Sequence, residues 1–275
     1  MKFRPGRRPP NRSSQPVPKR TNKDGPWPAK FPKAVLPEGV FVVEGIAAIQ
    51  EYLRYSPSAI LKIFIKESSA KAIKTSLPDF KGQMVVVAGS SEESVHATPV
   101  WAHVKHELGD WMDFLNEIDD DQSGRANLVL VLDHISDPRN LGAIVRSAAF
   151  FGVRHVIVPE RRQVLLTQAS VNTAQGGFAL AKLTVVVNVS RALEELKTRD
   201  FWVLGAAMAG EPIARIRGRY DKQVLVLGSE DKGISPGVLS HCDVLVSIAG
   251  AEKSLDSLNV SVAAGILIHE LRETT

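Results

Sequence analysis

The chain has 275 residues, 44% hydrophobic and 23% charged, the balance of an ordinary globular protein with one large or two modest domains. Its single cysteine, Cys242, excludes an intrachain disulfide and a cysteine zinc cluster, and fits a reducing cytoplasm. The net charge of +4 is uneven: residues 1–33 hold ten Lys or Arg against Asp24, giving +9, so residues 34–275 carry the balance, −5.

Residues 1–38 are rich in Pro, Arg, Lys and Ser and are expected to be a disordered basic tail, with too few apolar side chains to offset the entropy of ordering. Such a tail suits a polyanion such as RNA, because phosphate contacts release counterions. Pro5, Pro9, Pro10, Pro16 and Pro18 would break the amphipathic helix of a mitochondrial transit peptide.

A small α/β unit is expected over residues 39–118. A strand begins at 39–43, and a helix at 46–55 puts Ile46, Ile49 and Leu53 on one face. A strand at 61–65, a helix at 69–75 and a strand at 84–88 follow. His103 and His106, three apart, read as a solvated helix face with no third metal ligand. Residues 117–124 are polar, contain Gly124 and mark the connector; Asp119, Asp120 and Asp121 belong to it as solvated acids.

The second unit spans 125–275. Residues 128–132, Leu-Val-Leu-Val-Leu, form an unbroken apolar run, as in parallel strands buried on both faces. Further strands are expected at 155–159, 201–207, 224–228 and 244–248, with helices at 141–151, 191–197 (Ser190 as N-cap) and 259–271. Strands alternating with helices imply a doubly wound parallel sheet. The uncharged run at 260–268 is too short to cross a bilayer, so no membrane segment is expected.

Ligands of such sheets sit beyond the carboxyl ends of strands. Three polar segments fall there. The first carries Asp133, Asp137, Arg139, Asn140 and Arg146. The second carries Gly228, Glu230 and Gly233. The third carries Ile248, Gly250, Ser257, Leu258 and Asn259. No Gly-x-x-x-x-Gly-Lys-Ser/Thr phosphate loop, no Gly-x-Gly-x-x-Gly and no Gly-x-Ser-x-Gly elbow occurs, which disfavours nucleotide hydrolysis, an ordinary dinucleotide site and an α/β-hydrolase.

The three segments, Asp133 through Gly152, Leu225 through Ser235 and Ile248 through Ala263, resemble in this order the motifs of the SpoU (TrmH) branch of the SPOUT RNA methyltransferases. The resemblance extends to Pro159-Glu-Arg-Arg162 and Gly176-Gly177, and residues 40 to about 115 resemble the ribosomal-protein-like domain with which such enzymes hold RNA. It implies S-adenosylmethionine as cofactor, methylation of a ribose 2′-hydroxyl, a C-terminal trefoil knot and a homodimer whose interface completes the sites. It maps the cofactor pocket to Gly228, Ile248 and Leu258, and the catalytic positions to Arg146, Asn140, Glu230, Ser257 and Asn259. No metal is expected, since neither the His pair nor the Asp run offers a full ligand set. The substrate expected is large-subunit rRNA, with tRNA as the alternative RNA and a non-catalytic RNA-binding or ribosome-assembly protein as the rival class. Ala249-Gly250 stands where the family pattern has Pro-Met.

Overall fold

A computed structural model describes residues 36–77, 80–88, 96–121, 127–161, 166–250 and 257–272. Residues 1–35 of the expected tail, 122–126 of the connector, Arg162 and the 251–256 part of the third motif lie outside the described residues.

The first sheet is four-stranded, in the order β1-β4-β2-β3, from β1 (Val40–Glu44), β2 (Ile60–Lys66), β3 (Met84–Val87) and β4 (Val100–Lys105). Strand β4 runs antiparallel to β1 and β2, whereas β2 and β3 are parallel. Helix α1 (Ile46–Tyr55) buries Ile49 and Tyr52 against it, and α2 (Ala70–Ser76) lies between β2 and β3 in sequence.

The second sheet has six strands, all parallel, in the order β10-β8-β9-β5-β6-β7. They are β5 (Leu128–Asp133), β6 (His155–Pro159), β7 (Lys182–Val186), β8 (Trp202–Pro212), β9 (Gln223–Gly228) and β10 (Val244–Ser247). Every residue of β5 and β9 is buried, as two covered faces require. Leu128, Leu130 and Leu132 point to one face, where α4 (Pro138–Phe150), α5 (Gln168–Ala174) and α8 (Val260–Arg272) pack in one continuous core with the first sheet. Val129 and Val131 point to the other, covered by α3 (Trp111–Asp119), α6 (Val189–Lys197) and α7 (Pro236–Leu239). Helix α3 buries Phe114, Leu115 and Ile118 in that second layer and runs to Asp119, so residues 117–119 of the expected connector are helix packed on the second sheet. Gly109 extends the edge of β7, its N–H donating to Leu183 O at 2.7 Å and its carbonyl accepting from Val185 N at 3.2 Å.

Three local expectations are corrected. His103 lies on strand β4, not a helix, beside the Phe64 ring at 4.6 Å. His106 follows the strand end and turns into the core. Helix α6 starts at Val189 with Asn188 as its N-cap, the Asn188 Oδ1 accepting from Arg191 N at 3.1 Å, and Ser190 instead bonds Gly237 O. Strand β8 extends beyond the expected 207 to Pro212. Helix α5 and strand β7 were not expected at all. Among the described residues no helix is long and apolar enough to cross a membrane.

His106 has an energetic consequence. Its Nε2 lies 2.5 Å from the Tyr52 hydroxyl, with Phe41 and Phe178 rings nearby. Burial raises the Tyr52 pKa, so its O–H stays protonated and donates to a neutral imidazole. Burial also lowers the His106 pKa from 6.5 to about 4. An unfolded chain therefore takes up this proton first. The stabilisation is complete above pH 6.5 and is lost as pH falls toward 4, below which the loss levels off; the window amounts to about 3 kcal/mol. Urea midpoints of wild type and His106→Gln between pH 7 and 4 test this. The substitution is expected to flatten the acid-side slope, and equal slopes would exclude His106 as its source.

Candidate functional site

The carboxyl ends of β5 and β9 are neighbours, with Asp133 paired to Gly228. Asp133 is fully buried. Its Oδ2 accepts from Ser235 N at 2.6 Å, and its Oδ1 lies 2.8 Å from His134 Nδ1 without hydrogen-bond alignment. This carboxylate ties the first polar segment to the far side of the 228–235 turn. Helix α4 then opens with Asp137 as N-cap, accepting from Arg139 N at 2.8 Å, and Pro138 in its first turn, where no donor is lost. The Arg139 guanidinium grips the same carboxylate at 2.8 Å and holds its pKa below the ordinary range.

Asn140, in that first turn, joins all three segments. Its Nδ2 donates to Glu230 Oε1, and its Oδ1 accepts from Asn259 Nδ2 at 3.1 Å. Asn259 is itself fixed by the start of α8, its Oδ1 accepting from Ser261 N at 2.9 Å and from Ser261 Oγ at 2.6 Å. A planar amide is the side chain that can donate one way and accept the other. Leu258 and Ser257 precede Asn259 and are exposed, while Ile248 directly follows β10 and packs partly into the core.

Arg146 stands apart from this cluster. It lies six residues, about one and two-thirds turns, further along α4, and so on another face. There it lines a depression of about 580 Å3 with Thr173 of α5 and Ser261, Val262, Ile266 and His269 of α8. The candidate site thus has two parts within the chain: the Asn140–Glu230–Asn259 hydrogen bonds at the strand ends, and Arg146 in the depression between helices.

The end of β8 is a part that the sequence did not reveal. Strand β8 lies between β9 and β10, so anything reaching both Gly228 and Ile248 passes it. There residues 206–210 leave the ladder: Leu245 pairs with Gly205, but the next residue, Val246, pairs with Glu211. The excursion is Ala-Ala-Met-Ala-Gly, with Met208 70% exposed. A Cβ on Gly210 would lie 2.5 Å from Val246 C, so glycine lets the loop fold back onto β10. The run of small residues was the available signal.

The model of the SpoU rRNA methylase family matches residues 127–269. The chain belongs to this family. The 23S rRNA (guanosine-2′-O-)-methyltransferase RlmB of Pseudomonas putida is 31% identical to the chain over 236 residues, 83% of this chain and 94% of that protein. Among solved structures, a TrmH-family protein from Porphyromonas gingivalis aligns over 86% of this chain and 91% of its own, with a TM-score of 0.67 and 26% identity. The SpoU methyltransferase AviRb of Streptomyces viridochromogenes, solved with its cofactor AdoMet, aligns over 85% and 90% with a TM-score of 0.70; at 21% identity it shows the shared fold. A SpoU-family chain thus places its three motif segments at one end of one parallel sheet, where Asn140 bridges them.

Proposed function

We propose that this chain transfers a methyl group from S-adenosylmethionine to a ribose 2′-hydroxyl of large-subunit rRNA. The observation that carries this is the side-chain amide of Asn140, bonded to Glu230 and Asn259 at once. The similarity to an enzyme named for 2′-O-methylation of guanosine in 23S rRNA supports the substrate class.

The strand ends fit the cofactor. Gly228 carries no side chain where the 229–233 turn closes on it, Ala206, Ala207, Ala209 and Gly210 are small, and Ile248 and Leu258 offer apolar surface beside backbone groups. Gly228, Ile248 and Leu258 would hold S-adenosylmethionine, which when bound supplies a methyl group already activated on a sulfonium. The protein has then to align the hydroxyl with that methyl and to stabilise the charge that develops on oxygen. A guanidinium has no acceptor atom, so Arg146 does not take the hydroxyl proton, which leaves to water. We assign it to holding an RNA phosphate and stabilising the developing alkoxide. Glu230, Asn140, Asn259 and Ser257 shape the strand-end side of the site. We place the RNA-holding role in residues 39–118 and the transfer chemistry in 125–275.

The test combines purified protein, labelled S-adenosylmethionine, and unmodified rRNA and tRNA in separate reactions. Label in a 2′-O-methyl nucleoside of rRNA is expected, lost in Arg146→Ala and reduced at least tenfold in Arg146→Lys, which keeps charge without the bidentate fork. Label in tRNA alone would overturn the substrate. RNA binding without label would favour a non-catalytic protein, and near-wild-type activity of Arg146→Lys would remove the guanidinium from the mechanism.

We propose also that the protein is a homodimer through α4 and α8, and that its C-terminal unit carries a trefoil knot. The dimer is supported by Phe150, 83% exposed, and by Val262 and Ile266, 51% and 36% exposed, beside Arg146. Light scattering on the wild type is expected to give twice the 29.9 kDa chain mass, and Val262→Asp with Ile266→Asp the single mass. A monomeric wild type would end the proposal.

A further inference from the structure

We infer that residues 168–179, and Gly176–Gly177 above all, act as a positioning link that sets Arg146 according to where the small sheet sits. The inference rests on the proposed methyl transfer.

Four contacts from the small sheet and α1 land on this one segment. Gln168 uses its side-chain amide like a piece of strand against the open edge of β1. Its Nε2 donates to Val42 O at 2.6 Å and its Oε1 accepts from Val42 N at 2.9 Å, while Nε2 also reaches Asn172 Oδ1 at 2.7 Å. Ser56, at the end of α1, donates to Ala179 O at 2.7 Å. The Phe178 ring meets the His106 ring edge-on at 5.7 Å. Gly176 lies against the α1 backbone: a Cβ there would be 3.1 Å from Ala48 O and 3.2 Å from Ala48 Cα.

The next residue faces the other way. A Cβ on Gly177 would lie 3.1 Å from Arg146 Cα and 3.2 Å from Val145 O. One turn of α4 before Arg146, a Cβ on Gly142 would lie 2.4 Å from Ser170 O of α5. Backbone therefore touches backbone on both sides of a segment about one peptide thick, with the small sheet's helix on one side and Arg146 on the other. Gly176, with φ 93°, takes a conformation that other residues adopt only under strain. Close-packed backbones do not absorb a displacement as a loose side chain would. RNA held by the small sheet is thereby registered against the guanidinium that must meet one of its phosphates.

Two variants test the link in the full-length chain. Gly177→Ala presses on α4 at Arg146. Gln168→Leu releases β1 without touching α4, and it serves if the first fails to fold. Both are expected to lower kcat on rRNA about tenfold, with KM for RNA and Kd for S-adenosylmethionine within about twofold of wild type, because misplacement by a fraction of an ångström acts on turnover rather than on binding. Without RNA or cofactor, amide exchange in α4 at residues 145–147 is expected to quicken in Gln168→Leu. Unchanged kcat and unchanged exchange would overturn the coupling, as would a loss of kcat that merely follows a fall in Tm together with a rise in KM. Wild-type protein that transfers no methyl group to rRNA would sink the functional reading, and the exchange data would still decide the mechanical one.

Discussion

Asn140→Asp is expected to lower methyl transfer to rRNA about a hundredfold at pH 8, although it changes one atom of the side chain. The Asn140 amide donates to Glu230 and accepts from Asn259 at 3.1 Å. Aspartate keeps the acceptor and loses the donor, and it sets a second carboxylate against Glu230. Two carboxylates sharing a contact repel, and one of them takes a proton more readily than an ordinary acid. That proton restores a donor between the two groups. The defect relative to wild type, where Glu230 has a neutral partner, should therefore ease as pH falls and deepen as it rises. Initial rates from pH 5.5 to 8.5, with Asn140→Ala as the control that has no group to titrate, decide the matter. A rate for Asn140→Asp within threefold of wild type at pH 8 would remove the bridge from the mechanism. Equal pH profiles for the two variants would remove the shared proton.

The parallel sheet was legible where its strands are long apolar runs. Residues 128–133 and 223–228 are buried on both faces, and no other element reads Leu-Val-Leu-Val-Leu. The edges were less legible because they obey other constraints. Strand β4 carries His103, Lys105 and a small Ala102, and becomes a strand through its pairing with both β1 and β2. Helix α5 is short, and its capping box uses Ser170 where a longer acidic or amide side chain is usual. The excursion at 206–210 exists because β8 pairs with β10 on either side of it, which no local window contains. The site divides in the same way. Gly228, Ile248 and the 257–259 segment were placed at strand ends by the alternation of strands and loops. The Asn140 bridge spans 90 and 119 residues of chain and follows from topology. Helical spacing alone sets Asn140 and Arg146 on different faces of α4, and the role of Arg146 came from the family resemblance.

Gly228→Ala is expected to weaken S-adenosylmethionine binding at least tenfold and to destabilise the fold by about 2 kcal/mol, the scale of overpacking a tight site. Gly228 is the last residue of β9, and no left-handed turn requires a glycine there. Space requires it. An added Cβ would lie 2.1 Å from Gly233 C, 2.2 Å from Ile234 N and 2.4 Å from Gly233 O, all backbone atoms. The turn that brings them so close is closed twice, by Ser229 N to Gly233 O at 3.0 Å and by Gly233 N to Ser229 O at 2.9 Å, with Gly233 at φ 67°. It is then pinned by burial of Ile234 and by Ser235 N on the buried Asp133. Making room for one methyl group means moving the turn. Moving the turn carries Glu230 away from Asn140 and pulls Ser235 from a carboxylate that water does not reach, and an orphaned buried acceptor is costly. A chain of this length loses about 2–4 °C of Tm per kcal/mol, so the melting temperature should fall by roughly 4–8 °C. Calorimetric titration of the cofactor and a thermal melt measure the two effects separately. A variant that melts early but binds S-adenosylmethionine normally would make Gly228 a folding residue alone. One that matches wild type in both would mean that the turn yields without disturbing the strand ends.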